Sequence, residues 1–465
     1  MRVRAATFFG FVLVAACSGS KPPQPVAQTP IGIASTAPVG TLPSIVTPGP
    51  VLTSADVEET KRIRRTLKKV CAARGLEATR DVPGKVLGRD ELIARVKAHV
   101  AKEVPTSALV DEGLVYQLLG LLPAPYDYAG AMFQLLEAQL AGYYEPGDGT
   151  MYMAADLEED MAFATLAHEL VHALQDQHWD LKSKSKYTPG RADAQLAQSC
   201  LAEGDATSSM LDVMLADAGK TALDVPEGML NSQMLLGMDT TSGASSPHFM
   251  RTSLIAPYVE GLRFVHARRK IGGWPSVNAS WDRVPTTTEQ ILHPEKWDLN
   301  EGALDVPPPT YAALGAGWST TENDTFGELA LRLVLDEWMD ANASRRASGH
   351  WGGDRAVLVR NGDNAALVWH LRYDEAKGDA KGAARWGNEG WAALSAGFAN
   401  SHAPTTVKDA SFVCTARPDR GPISISVKDR DVVLVAGPAK VSATGPWSSA
   451  GDCAAARKLA QESLK

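Results

Sequence analysis

The stretch Thr150-Met151-Tyr152-Met153-Ala154, followed by Asp156-Leu157-Glu158-Glu159 and then Leu166-Ala167-His168-Glu169-Leu170-Val171-His172-Ala173-Leu174, decides how this chain is read. The residues up to Ala154 predict a strand. From Leu157 through Met161, Ala164, Leu166, Leu170, Val171 and Leu174 the apolar positions keep a helical period. Asp156 with Glu159 three residues on predicts a capping box at the start of this helix. His168 and His172 then stand one turn apart in mid-helix. Residues i and i+4 project from one face, so the two imidazoles can meet one cation, with Glu169 beside them. Two solvated surface histidines are the plainer alternative. The chain holds only 10 histidines, which makes a chance match to H-E-x-x-H rare, and the upstream strand is the context its chemistry needs.

In that pattern the metal is zinc, and the glutamate acts as general base toward a water and then passes the proton to the leaving amine. A catalytic zinc takes three protein ligands and leaves a fourth position open. Two residues compete for the third place. His178 lies where metzincins carry their third histidine, but Gln175 stands in place of the glycine that makes their turn. On a continuing helix His178 is about 120° off the ligand face. The other candidate is Glu203, in Leu201-Ala202-Glu203-Gly204-Asp205-Ala206 on the next apolar-periodic helix. Glu203 is preferred, and Asp205 is a candidate hydrogen-bond partner for a ligand imidazole. A closed, purely structural site would need a fourth protein ligand such as His178 or Asp205.

Residues 168–180 together with Glu203-Gly204-Asp205-Ala206 resemble the gluzincins, the thermolysin-like zinc peptidases whose third ligand is a downstream glutamate. The interval from His172 to Glu203 is longer than in the best-known members, so 180–196, with Lys182-Ser183-Lys184-Ser185-Lys186, is expected to loop out. The resemblance implies a zincin-like core of active-site helices and a small sheet. It also implies that residues 143–154 supply an edge strand on which peptide adds by backbone pairing, with Tyr143, Tyr144 and Tyr152 facing substrate. Pro146-Gly147-Asp148-Gly149 makes this segment a hairpin. A donor to the developing oxyanion is also required. The segments around Tyr258 and around His293 both qualify, and His293 is favoured.

Working outward, residues 57–122 and 126–140 read as helical. Residues 1–17 place Arg2 and Arg4 before an apolar run that ends Val14-Ala15-Ala16-Cys17, too short to span a bilayer. Small residues before a cysteine resemble the lipobox of bacterial lipoproteins, which makes Cys17 the lipid anchor; a plain signal peptide is the alternative. Either way the expectation is export, with lipid anchoring to the cell envelope, outer membrane included. Residues 18–55, rich in Pro, Thr and Ala, read as a tether.

Residues 56–317 are assigned to the metallopeptidase-like domain and 318–465 to an accessory unit, the whole being α+β. In the latter, 326–339 and 454–464 read as helices and 356–360, 365–373, 422–427 and 431–436 as strands. Trp351-Gly352-Gly353-Asp354-Arg355 reads as a tight turn around a buried Trp, with a cleft lining as the alternative. Four cysteines besides Cys17 permit two disulfides: Cys414 with Cys453 is preferred within one unit, and Cys71 with Cys200 would close a long loop. The chain has 465 residues, 46 basic against 54 acidic, and a net charge of -8. No basic face with interleaved aromatics is present, so nucleic acid is not an expected partner. Peptide or protein substrate and a membrane surface are.

Overall fold

The helical pattern ahead of the motif resolves into four helices interrupted by a strand. A computed structural model of the chain describes residues 54–230, 246–374 and 383–465. Residues 1–53, on which the expected leader, Cys17 and most of the expected tether fall, lie outside the described residues. In chain order the first elements are α1 (Ser54–Arg74), β1 (Gly84–Leu87), α2 (Arg89–Glu103), α3 (Thr106–Leu119) and α4 (Tyr128–Gln139). β1 was expected to be helical. Its four residues pair in parallel with β3, Lys85 opposite Tyr152, a long-range contact that outweighs local helix propensity.

The hairpin follows as β2 (Gly142–Glu145) and β3 (Thr150–Ala154), antiparallel with Tyr143 opposite Tyr152. The sheet order is β1-β3-β2. Of the two hairpin strands only β2 is therefore at an edge of the sheet; β3, with Tyr152, is central. Next come α5 (Glu159–Trp179), a short helix Leu181–Ser185, α6 (Ala192–Leu215) and α7 (His248–Asp282). The capping box does not form. Glu158 is the N-cap without a side-chain bond, and Asp156 instead pairs with Arg89 at 2.7 Å. α7 is two helical runs joined at Gly272 and Gly273, the latter at φ 62°, a conformation glycine adopts without steric cost.

After short helices at Thr288–Leu292 and Pro294–Asp298, the second half contains β4 (Ser319–Asp324), α8 (Gly327–Asp336), α9 (Ala341–Ser348), β5 (Trp351–Asn361) and β6 (Asn364–Tyr373). Then follow α10 (Ala383–Ser401), β7 (Val407–Lys408), β8 (Phe412–Thr415), β9 (Ile423–Lys428), β10 (Asp431–Lys440), β11 (Ser448–Ser449) and α11 (Cys453–Ser463). Its strands make one eight-stranded sheet in the order β4-β5-β6-β10-β9-β8-β7, with β11 on β10. Period-2 alternation sends Val357 and Val359 toward α11 and Leu358 toward the main core, so the central strands are apolar on both faces. Trp351-Gly352-Gly353-Asp354-Arg355 is the start of β5 rather than a turn. Trp351 is buried, and a side chain on Gly353 would meet the Leu304 carbonyl at 2.4 Å.

With 55% helix and 17% strand the protein is α+β. Cys414 and Cys453 form a disulfide between β8 and α11, whereas Cys71 and Cys200 are free thiols. Among the described residues no helix is long and apolar enough to cross a membrane.

The two halves share one core. A single cluster runs from Leu92 and Tyr116 through Phe249 to Phe326, Trp369 and Leu434. α6 is capped from across the assigned boundary: Asp324 at the end of β4 accepts the backbone N–H of Ala192 at 2.9 Å and of Gly190 at 3.1 Å. Buried side chains from both sides of 317/318 thus belong to one hydrophobic cluster.

Candidate metal centre

α5 is apolar nearly all round in its middle, and such a helix is stable only when enclosed. Ile63 and Val70 of α1, Met151 of β3 and Met210 of α6 pack around Leu166 and Leu170. Enclosure on all sides leaves His168, Glu169 and His172 at 1%, 0% and 1% exposure, and Glu203 from α6 at 0%. α6 reaches this position through its contact with α7. A Cβ on Gly261 would lie 1.9 Å from the Cys200 carbonyl oxygen, and one on Gly204 would lie 2.1 Å from the Gly261 carbonyl carbon. Two glycines facing each other let the helix backbones touch.

Ligand atoms of His168, Glu169 and His172 lie within 4.8 Å of one another. Glu203 Oε2 stands 3.1 Å from His168 Nε2 and 3.6 Å from His172 Nε2, and the two Nε2 atoms are 3.1 Å apart. Three ligands of a tetrahedral ion with bonds of about 2.0–2.1 Å would be separated by about 3.3–3.4 Å. Glu203 Oε1 and Glu169 Oε1 are both buried without a hydrogen-bond partner, a costly arrangement for carboxylates that a cation or a polar ligand would relieve.

Gln175 fixes the orientation of His172. Its Nε2 donates to the Ala202 carbonyl at 3.0 Å, so its Oε1 faces His172 Nδ1 at 2.8 Å and accepts that proton. Nε2 of His172 is thereby the ring nitrogen that faces His168 and Glu203. The two glutamates differ in electrostatics. Burial pushes the Glu169 carboxyl up to about 8, its one hydrogen bond being the Tyr144 backbone N–H at 2.9 Å. Burial acts on Glu203 too, but the imidazoles of His172 and His168 outweigh it and hold that carboxyl below its usual value. Burial lowers the His168 imidazole. The same burial is overcome at His172 by Glu203, which raises it to about 9.

Several candidate residues are engaged elsewhere. His178 Nε2 bonds the Glu77 carbonyl at 2.8 Å, away from the imidazole pair. Asp205 bonds no imidazole. It forms a two-pronged pair with Arg74 at 2.6 and 3.1 Å and accepts Trp281 Nε1 at 2.8 Å, all fully or nearly fully buried. His293 bonds Glu328 at 3.0 Å and lines a pocket bounded by α7, α8 and α9. The aromatic residue beside the imidazoles is Tyr258, its ring centroid 5.9 Å from that of His168. Tyr258 and Gly261 are three residues apart on α7, so the glycine contact with α6 also brings this tyrosine to the site.

The three hairpin tyrosines are held by protein partners. Tyr143 stacks on Tyr152 at 5.3 Å, and Arg95 donates to the hydroxyls of both. Tyr144 donates its hydroxyl to Asp176 at 2.9 Å while its backbone N–H, pointing away from β3, is the one on Glu169. A second group of carboxylates, Glu289, Glu301 and Asp374, already surrounds a protein cation: Lys296 Nζ lies 2.5, 2.8 and 2.6 Å from them. Sequence reasoning missed the role of Gln175, although its i+3 spacing from His172 places it on the same helix face.

The family described as Domain of unknown function (DUF8575) matches residues 316–444, which span β4 to β10 and leave the histidine cluster outside. No curated sequence matches the chain.

Proposed function

We propose that the chain is a zinc-dependent peptidase with a gluzincin-like core, exported and anchored to the cell envelope by a lipid on Cys17. His168, His172 and Glu203 would be the protein ligands. The observation that carries this reading is the donor triangle with edges of 3.1, 3.1 and 3.6 Å. Bound there, zinc supplies Lewis acidity toward water and toward a peptide carbonyl.

The remaining steps belong to the chain's own residues. Glu169, buried with Oε1 unpartnered, would in its ionised form take a proton from water and return it to the departing amine. Glu203, lowered by its imidazole contacts, stays anionic as a ligand. Position divides the roles: Glu203 Oε2 faces both imidazoles, whereas Glu169 Oε1 is left without a partner. Tyr258 replaces His293 as the donor to the developing oxyanion. Extended peptide backbone would add along the outer edge of β2 beyond Tyr144, whose outward N–H is held by Glu169.

The test is a pair of measurements on purified protein. About one zinc per chain is expected, and Glu169→Gln should keep the metal while losing hydrolysis of a generic unfolded protein substrate. Equal cleavage by both forms would end the peptidase reading. The complete burial of the four side chains favours a second reading, a non-catalytic envelope scaffold that keeps a closed metal site. Zinc retained with no turnover by the unsubstituted protein would support that one.

A further inference from the structure

On the side of α7 roughly opposite Tyr258, the stripe Glu260, Arg263, Phe264 and Ala267 forms one wall of a pocket of about 490 Å³. The other walls are the segment Ile291–Pro294, the first turns of α8 through Glu328 and Arg332, and α9 through Arg345 and Ser348. Most of its charges are matched within the protein. Arg263 lies 3.0 Å from Glu260, Arg332 pairs with the same carboxylate, and Glu227 at the rim meets Lys270 at 3.6 Å.

Three groups are not matched. Glu328 is 3% exposed, and while its Oε1 bonds His293 at 3.0 Å, its Oε2 is buried without a partner. Ser348 is 0% exposed and its Oγ is likewise unpartnered. Arg345 has only Asn342 at 3.5 Å, with no carboxylate within 4.0 Å among the described residues. Buried unpaired atoms such as Glu328 Oε2 and Ser348 Oγ are costly unless a ligand or water completes them, and Arg345, which is exposed, is open to a partner from solution. Phe264, Ile291, Leu292 and Pro294 add an apolar surface, and the volume falls within the roughly 300–1,000 Å³ of small-molecule pockets.

We propose that this pocket binds a small zwitterion of the α-amino acid type, either a free amino acid or a dipeptide. Its carboxylate meets Arg345, its ammonium donates to Glu328 Oε2 and Ser348 Oγ, and an aliphatic side chain rests on the apolar surface. A simple anion would satisfy Arg345 but leave Glu328 Oε2 without a donor. A simple cation would do the reverse. The assignment does not depend on the metal centre.

Isothermal titration of the full chain tests it with L-leucine and L-leucylglycine as probes. N-acetyl-L-leucine, which lacks the ammonium, and L-leucinamide, which lacks the carboxylate, are the controls. At least one zwitterion should bind, and both blocked analogues should bind at least tenfold more weakly. Arg345→Ala and Glu328→Gln should each weaken binding tenfold or more while zinc content is unchanged. The proposal is overturned if neither zwitterion binds, if a blocked analogue binds as well as L-leucine, or if Arg345→Ala leaves affinity unaltered. Arg345 is exposed, so that variant remains informative even if Glu328→Gln does not fold.

Discussion

Gln175 is the residue at which two readings of the histidine motif part. In sequence it occupies the position where a metzincin needs glycine; in the fold its amide bridges His172 Nδ1 and the Ala202 carbonyl, joining α5 to α6. Residues that hold a ligand imidazole contribute to metal affinity, typically 10–100-fold. Gln175→Ala should therefore weaken zinc binding by about that factor in competition with a chromophoric chelator, while Gln175→Glu, which keeps an acceptor, should lose less. Unchanged affinity in the alanine variant would show that the bridge is incidental. His266 makes a different residue-scale prediction. Burial, assisted by Arg269 and Lys270, pushes its imidazole from 6.5 down to about 4. The unfolded chain thus takes up a proton below pH 6.5 that the folded chain refuses until about pH 4. Stability contributed by the neutral form is complete above pH 6.5 and lost as pH falls through that window. His402, also lowered to about 4, acts in the same sense. Replacement by His266→Phe should shrink, without abolishing, the drop in urea-unfolding free energy between pH 7 and pH 4.5.

At the scale of elements, the contact that assembles the site is the crossing of α6 and α7. Nothing in sequence marks Gly204 and Gly261 as partners, and glycine inside a helix reads as a weak point. Their pairing has a steric reason, since a Cβ on Gly261 would sit 1.9 Å from a backbone oxygen that cannot move without shifting the whole helix. Gly261→Ala should cost roughly 1–3 kcal/mol or more, as overpacking does. It should also weaken zinc binding, because α6 carries Glu203. A urea denaturation curve and a chelator competition on the same variant check both parts; a stable protein with intact affinity would refute the crossing argument. The hairpin was legible from its turn residues. β1 was not, because four residues carry too little pattern to outweigh the flanking helical period.

At the scale of the molecule, the second half supports the first. Asp324 caps α6, and in the same junction Asp193 of α6 accepts the Thr288 backbone N–H at 2.9 Å. Asp354 of β5 receives the Phe326 and Gly327 backbone N–H groups, each at 2.7 Å. A fragment of residues 54–317 would lose the cap and the sheet-facing part of the shared core. It should show reduced helical circular dichroism and rapid proteolysis compared with the full chain. A fragment that unfolds cooperatively and resists protease would restore the 317/318 boundary as a true domain limit. In the full chain Asp324→Ala should cost about 0.5–2 kcal/mol, the usual loss on removing a cap.

Read alone, the sequence determined what depends on near neighbours: the helix that carries His168 and His172 on one face, the hairpin before it, the apolar strands of the second half and the Cys414–Cys453 pair. Helical and strand periods, turn residues and short separations encode these directly. The tertiary structure decided which distant groups meet. Glu203 rather than His178 faces the imidazoles, Tyr258 rather than His293 stands beside them, and Asp205 is held by Arg74 and Trp281. It also placed Gly353 inside a strand and merged two assigned units into one core. Such meetings follow from helix crossing and shared burial, which no spacing along a single chain records.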